Sequence, residues 1–138
     1  MRKIFFIGIL LFSFFGYSQK KVLQTKFITE GSIIIDGKID EKIWETVPEA
    51  TNFIMFDPDN GKPIPEGKKT DVKVLYDNDA IYIAAFLYDN EPNKILKEIT
   101  KRDEFGTSDV FGVFINGFND DQQDFDFFVN AADGQSDC

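Results

Sequence analysis

Aromatic and acidic side chains carry most of the chemistry that this sequence could perform. Tyr76, Tyr82 and Tyr88 lie on or near predicted strands, where the face of a phenol ring can stack on a sugar. Asp109, just before another strand, can accept hydrogen bonds from hydroxyl groups. These four are the candidate carbohydrate-binding residues. The alternative is that the tyrosines are core or cross-strand partners with their hydroxyl groups at the rim.

Carboxylates are also numerous enough for a hard cation such as calcium, which takes about six to eight oxygen ligands. The favoured groups are the turn over 119–121 and an acidic cluster over 103–109. They comprise Asp103, Glu104, Asp109, Asp120 and Asp121. The alternative is a solvated acidic rim.

Catalysis has little support in the residue types. The chain has no histidine and one cysteine, Cys138, so the commonest general base and any internal disulfide are excluded. Asp124 and Asp126 would lie about 6.7 Å apart on one face of a strand. Glycoside hydrolysis needs two carboxylates at roughly that separation, but every strand with a polar face produces such pairs. The sequence therefore predicts no enzyme activity.

The first eighteen residues have the layout of a secretory signal peptide. Arg2 and Lys3 precede an apolar run of about 12 residues, shorter than the roughly 20 needed to span a membrane. We expect cleavage after Ser18, which would make Gln19 the first residue of an exported chain. The full sequence has 24 acidic and 15 basic residues, and loss of Arg2 and Lys3 would leave 13 basic residues in the exported chain. Such an acidic chain should not bind nucleic acid or an anionic membrane surface.

The remaining sequence reads mainly as strands. Val72, Val74 and Tyr76 alternate with polar residues over 70–77, and 80–88 is apolar on both faces, so the two runs predict a hairpin. Further strands are predicted over 32–36, 52–56, 110–116 and 124–130. In the last of these, alternation places Phe125, Phe127 and Val129 on one face. Many short strands with little helix favour an antiparallel β-sandwich or barrel.

One short helix is predicted over 40–47, and a second helix or an irregular turn over 93–100. Asp40 occupies an N-cap position, and Ile39 and Trp44 are spaced as a hydrophobic staple. Trp44, the only tryptophan, is therefore expected to pack in the core rather than to stack on a sugar. Asp36 and Gly37 form the turn that precedes this helix, and Asp36, Gly37, Asp40 and Trp44 are predicted to have structural roles.

At this point the chain resembles a known family. The run from Ile35 to Glu41, followed by Ile43 and Trp44, is similar to the opening of family 9 carbohydrate-binding modules. The resemblance continues through 71–77 and 80–84 and then through 101–104 and 108–111. In one subgroup of these domains, the module lies at the N-terminus of an exported bacterial protein that carries a probable outer-membrane β-barrel.

The resemblance implies an all-β, jelly-roll-like antiparallel β-sandwich over 32–138, after a lead-in over 19–31, with calcium as a possible ligand. It implies a non-catalytic domain that binds a poly- or oligosaccharide, in the periplasm, at the outer membrane or outside the cell. Strands expected after 130–134 are absent, so the domain is expected to be incomplete at its C-terminal end. The alternatives are a structural or protein-interaction ectodomain of an outer-membrane protein and part of a glycoside hydrolase.

Overall fold

A computed structural model of the chain describes residues 21–120 and 122–138. The expected signal peptide and Asp121 lie outside these described residues. The described residues form two three-stranded sheets, one in the order β1-β2-β3 and the other in the order β4-β5-β6. Their strands are β1 (Lys26–Phe27), β2 (Thr70–Tyr76), β3 (Ile81–Leu87), β4 (Val110–Ile115), β5 (Phe125–Asn130) and β6 (Gln135–Asp137). The prediction of a mostly β chain is confirmed.

The residues divide into two compact units. The first comprises the chain up to Glu49 together with Lys73–Ile83, and the second comprises Ala50–Val72 and Ala84–Cys138. Within the described residues, no helix is long and apolar enough to cross a membrane.

The hairpin predicted over 70–77 and 80–88 is present as β2 and β3. Leu75 is fully buried, and Asp71 on the same face of β2 is buried too. Val72 and Val74, on the predicted apolar face, are only half-buried and Tyr76 is exposed, so the predicted apolar face is not the more buried one. The turn between the strands is closed by Asp77, whose backbone N–H donates to the carbonyl of Ala80 at 3.0 Å. The Asp77 carboxylate also accepts the backbone N–H groups of Asp79 and Ala80, both at 2.8 Å. This satisfies the donors of the turn without a glycine.

Trp44 is buried in the first unit, within a 3₁₀ helix (Lys42–Thr46). The helix is shorter than predicted, and Glu41 rather than Asp40 occupies the N-cap position. The Glu41 side chain makes no capping hydrogen bond to the helix backbone. One of its carboxylate oxygens accepts the backbone N–H of Ile34 at 2.8 Å, and the other accepts the Trp44 Nε1–H at 3.0 Å. These bonds lower the pKa of Glu41, chiefly through the Ile34 N–H. The indole N–H is thereby satisfied in a buried setting.

The predictions of strands over 32–36 and 52–56 are wrong. Local turns take up the backbone groups around 32–36: Ser32 N–H donates to the Thr29 carbonyl, and Asp36 N–H donates to the Ile34 carbonyl. Around 52–56 a single isolated bridge joins Ile54 to Pro63, and Asn52 has a positive φ of 55°, which breaks an extended run. The region 93–100 contains only a 3₁₀ turn (Pro92–Lys94), which agrees with the irregular alternative.

The predicted alternation in β5 is present, but its apolar face is the more exposed one. Phe125 and Phe127 are each 49% exposed and Val129 is 41% exposed, whereas Asn130 is buried. These apolar residues pair with apolar residues of β4 as Ile115–Phe125, Val113–Phe127 and Phe111–Val129.

The opposite face of β5 holds the better-packed ring. Phe128 meets Phe105 and Phe114 edge to face, with ring centroids 5.1 and 5.5 Å apart. It lies over its cross-strand partner Gly112, where an added Cβ would come within 2.6 Å of the ring. A side chain at position 112 would therefore displace the Phe128 ring.

The substitution Leu75→Ala should lower the free energy of unfolding by about 3 kcal/mol, because it removes a fully buried side chain and leaves a cavity. Leu96→Ala is the matched control, since Leu96 is 54% exposed and its loss should change stability by less than about 1 kcal/mol. Urea unfolding of the two variants measures the difference. Equal losses would contradict the placement of Leu75 in the core.

Candidate functional site

A cavity of about 340 Å³ lies in the second unit, at the open end of the hairpin. This volume is at the lower end of the range typical of small-molecule sites, about 300–1,000 Å³. Its wall combines apolar and charged side chains, among them Leu87, Tyr88, Phe111, Lys68, Asp89 and Asp109. Two of the four predicted carbohydrate-binding residues, Tyr88 and Asp109, are thus brought to one cavity.

Tyr88 is positioned by several contacts although it is partly exposed to solvent. Its backbone N–H donates to the carbonyl of Lys69 at 2.9 Å, which continues the hairpin pairing one residue beyond β3. The ring centroids of Tyr88 and Phe86 lie 4.5 Å apart, and Lys69 Nζ lies 4.3 Å from the Tyr88 centroid. The residue remains 40% exposed. A positioned aromatic ring beside a cavity is a suitable stacking platform.

Lys68 and Asp89 form an ion pair at 3.2 Å across the two strand ends. The Asp89 carboxylate also accepts the backbone N–H of Glu91 at 2.6 Å. The pKa of Asp89 is lowered, mainly by the Glu91 N–H and then by the Lys68 hydrogen bond. Sequence reasoning missed this pair. The predicted hairpin was the available signal, since residues just before β2 and just after β3 must be neighbours.

Asp109 is anchored through its backbone and leaves its side chain open. Its N–H donates to the Leu96 carbonyl at 2.8 Å, and its own carbonyl accepts the Ala131 N–H at 2.9 Å. Nearby, the buried Asn130 side chain accepts the backbone N–H groups of Ala132 and Gly134. These bonds fix the wall of the cavity on the side of β4 and β5.

A second cavity, of about 480 Å³, lies in the first unit and is lined by Tyr76 and by the Asp77–Ala80 turn. Tyr76 is 39% exposed and meets Phe27 edge to face, with ring centroids 5.5 Å apart. Tyr82 has a different task, because its hydroxyl donates to the Asp77 carboxylate at 2.8 Å. Tyr76 thus lines a different cavity from Tyr88, and the Tyr82 hydroxyl is engaged in the turn.

The predicted metal ligands are not gathered into one site. Asp103 accepts the Asp137 backbone N–H at 3.3 Å, and Asp120 accepts that of Gln122 at 3.0 Å. Glu104 is exposed beside Asp103. In the described part of the chain, no three acidic, histidine or cysteine side chains are grouped so that they could hold a metal ion. The calcium site therefore stays a prediction, and the fifth predicted ligand, Asp121, lies outside the described residues.

Comparisons of the chain with protein-family models, with curated proteins and with solved structures found no match. The functional argument therefore depends on the residues of this chain and their geometry.

The hydroxyl of Tyr82 should lose its proton at a higher pH than that of an ordinary tyrosine. Its pKa is raised above 10.0, chiefly because the protonated hydroxyl donates to Asp77 and further because of burial and of the negative charge of Asp77. The substitution Asp77→Asn should lower the midpoint of the Tyr82 titration, followed by NMR of the ring carbon that bears the hydroxyl. Tyr82→Phe identifies the signal. A midpoint unchanged by Asp77→Asn would contradict the hydrogen bond.

Proposed function

We propose that the chain is a non-catalytic carbohydrate-binding domain of an exported protein, with a β-sandwich architecture, and that it holds an oligosaccharide in the cavity beside Tyr88. The observation that carries the proposal is the partly exposed ring of Tyr88 at a cavity that also presents Lys68, Asp89 and Asp109. An apolar ring and convergent polar groups are the two elements that sugar recognition needs.

The polar groups are suited to hydroxyl recognition. Lys68 can donate hydrogen bonds, while the carboxylates of Asp89 and Asp109 can accept them from adjacent sugar hydroxyls. Hydrogen bonds to charged groups are roughly twice as strong as neutral ones, so a few of them can orient a ring stacked on Tyr88. The ion pair between Lys68 and Asp89 is preformed, which reduces the entropy lost on binding.

The electrostatics of Asp89 favour binding over hydrolysis. A glycosidase acid needs a raised pKa so that it can carry a proton to the leaving oxygen. The Glu91 N–H and Lys68 lower the pKa of Asp89 instead. We accordingly propose no catalytic step, and calcium binding stays a prediction.

Replacing Tyr88 by alanine should weaken oligosaccharide binding about tenfold, equivalent to about 1.4 kcal/mol, because the stacking surface is lost. Tyr76→Ala is the matched control: Tyr76 is almost equally exposed but lines the other cavity. Isothermal titration of the chain with xylo-, gluco- and manno-oligosaccharides measures both variants, and thermal melts verify that each remains folded.

Three results would count against the proposal. They are the absence of binding to any sugar of the panel, an affinity of Tyr88→Ala equal to that of the unchanged chain, and an equal loss of affinity in Tyr76→Ala. Each would remove the cavity beside Tyr88 as the carbohydrate site.

A further inference from the structure

The charges around the cavity do not cancel. The positive charge of Lys68 is matched by Asp89 at 3.2 Å, and the Asp89 side chain is only 17% exposed. Close by, the ammonium of Lys69 is matched by the carboxylate of Asp71 at 2.7 Å. Two cations and two carboxylates are thus already engaged with each other.

Asp109 is the carboxylate of the cavity wall that remains after the Lys68–Asp89 pair is formed. Across the described part of the chain, its side chain has neither an ion-pair partner nor a hydrogen-bond donor, while its backbone is fixed on both sides. It lines the same cavity as Tyr88. A cavity with one unmatched carboxylate attracts a cation and repels an anion.

We propose that the site prefers sugars bearing a protonated amine, such as oligomers of glucosamine, with Asp109 receiving the ammonium group. This inference rests on the proposed function, because it names the class of sugar taken by the same cavity. The ammonium group supplies the donors that the Asp109 carboxylate lacks, and a charge-assisted hydrogen bond forms without disturbing the Lys68–Asp89 pair. A uronic acid would place a second negative charge near Asp109 and should bind worst.

Four ligands of different charge test this selectivity, and the first three share a β-linked gluco backbone. They are cellohexaose, a glucosamine hexamer, its N-acetylated form and a galacturonic acid oligomer. The titrations are run at about pH 5.5, so that the amines of the glucosamine hexamer are protonated. The glucosamine hexamer should bind about fivefold more tightly than cellohexaose at low salt, as expected for one partly exposed ion pair. The preference should shrink as salt is added, and the N-acetylated form should bind like cellohexaose.

Two variants separate a specific contact from general attraction to an acidic protein. Asp109→Asn should abolish the preference for the amine, so that the glucosamine hexamer and cellohexaose bind this variant with equal affinity. Asp124→Asn, which removes one exposed charge outside the cavity, should leave the preference intact.

The failures of the two proposals are distinguishable. If neutral hexamers bind but the amine gives no advantage, or if the advantage survives Asp109→Asn, the charge selectivity is overturned and the carbohydrate site stands. If none of the four ligands binds, both proposals are overturned.

Discussion

The carboxylate of Asp77 is the contact on which the hairpin depends. It accepts two backbone N–H groups of its own turn and the hydroxyl of Tyr82, so one buried side chain closes the turn and ties it to β3. Its pKa is lowered, first by the Asp79 N–H. Because β2 and β3 are neighbours in one sheet, closing the turn also sets which residues meet at the strands' other ends.

Those strand ends supply the polar half of the candidate site. Lys68 precedes β2 and Asp89 follows β3, and their ion pair is a consequence of hairpin pairing rather than of any local motif. Tyr88 is fixed by the same pairing through its bond to the Lys69 carbonyl. The hairpin thus places an aromatic ring, a cation and a carboxylate together. Asp109, just before β4, adds the charge that we propose selects the class of sugar.

The longer elements could be predicted from the sequence because their patterns are strong. The alternation of Val72 and Val74 and the apolar run after Ala80 both predict the observed strands to within a residue or so. The short apolar run around Ile34 could not be assigned in this way. Its backbone groups are taken by local turns and by Glu41, and no periodicity reports such bonds.

The site was predictable only in part. Aromatic type and position suggested Tyr76, Tyr82 and Tyr88 equally, since a sequence does not reveal which ring borders a cavity or which hydroxyl is already engaged. The sequence did not reveal which face of β5 carries the better-packed ring, for a related reason. Phe128 is the better-packed ring because Phe105, Phe114 and the bare backbone of Gly112 surround it, and these contacts are distant in sequence.

The central claim is that an oligosaccharide binds beside Tyr88, and amide chemical shifts test it most directly. The isotope-labelled chain would be titrated with a sugar oligomer and followed by two-dimensional NMR. The account predicts saturable shifts concentrated on Lys68, Tyr88, Asp89 and Asp109, with the turn around Asp79 unaffected. Shifts confined to Tyr76 and that turn, or no shifts with any sugar, would contradict it.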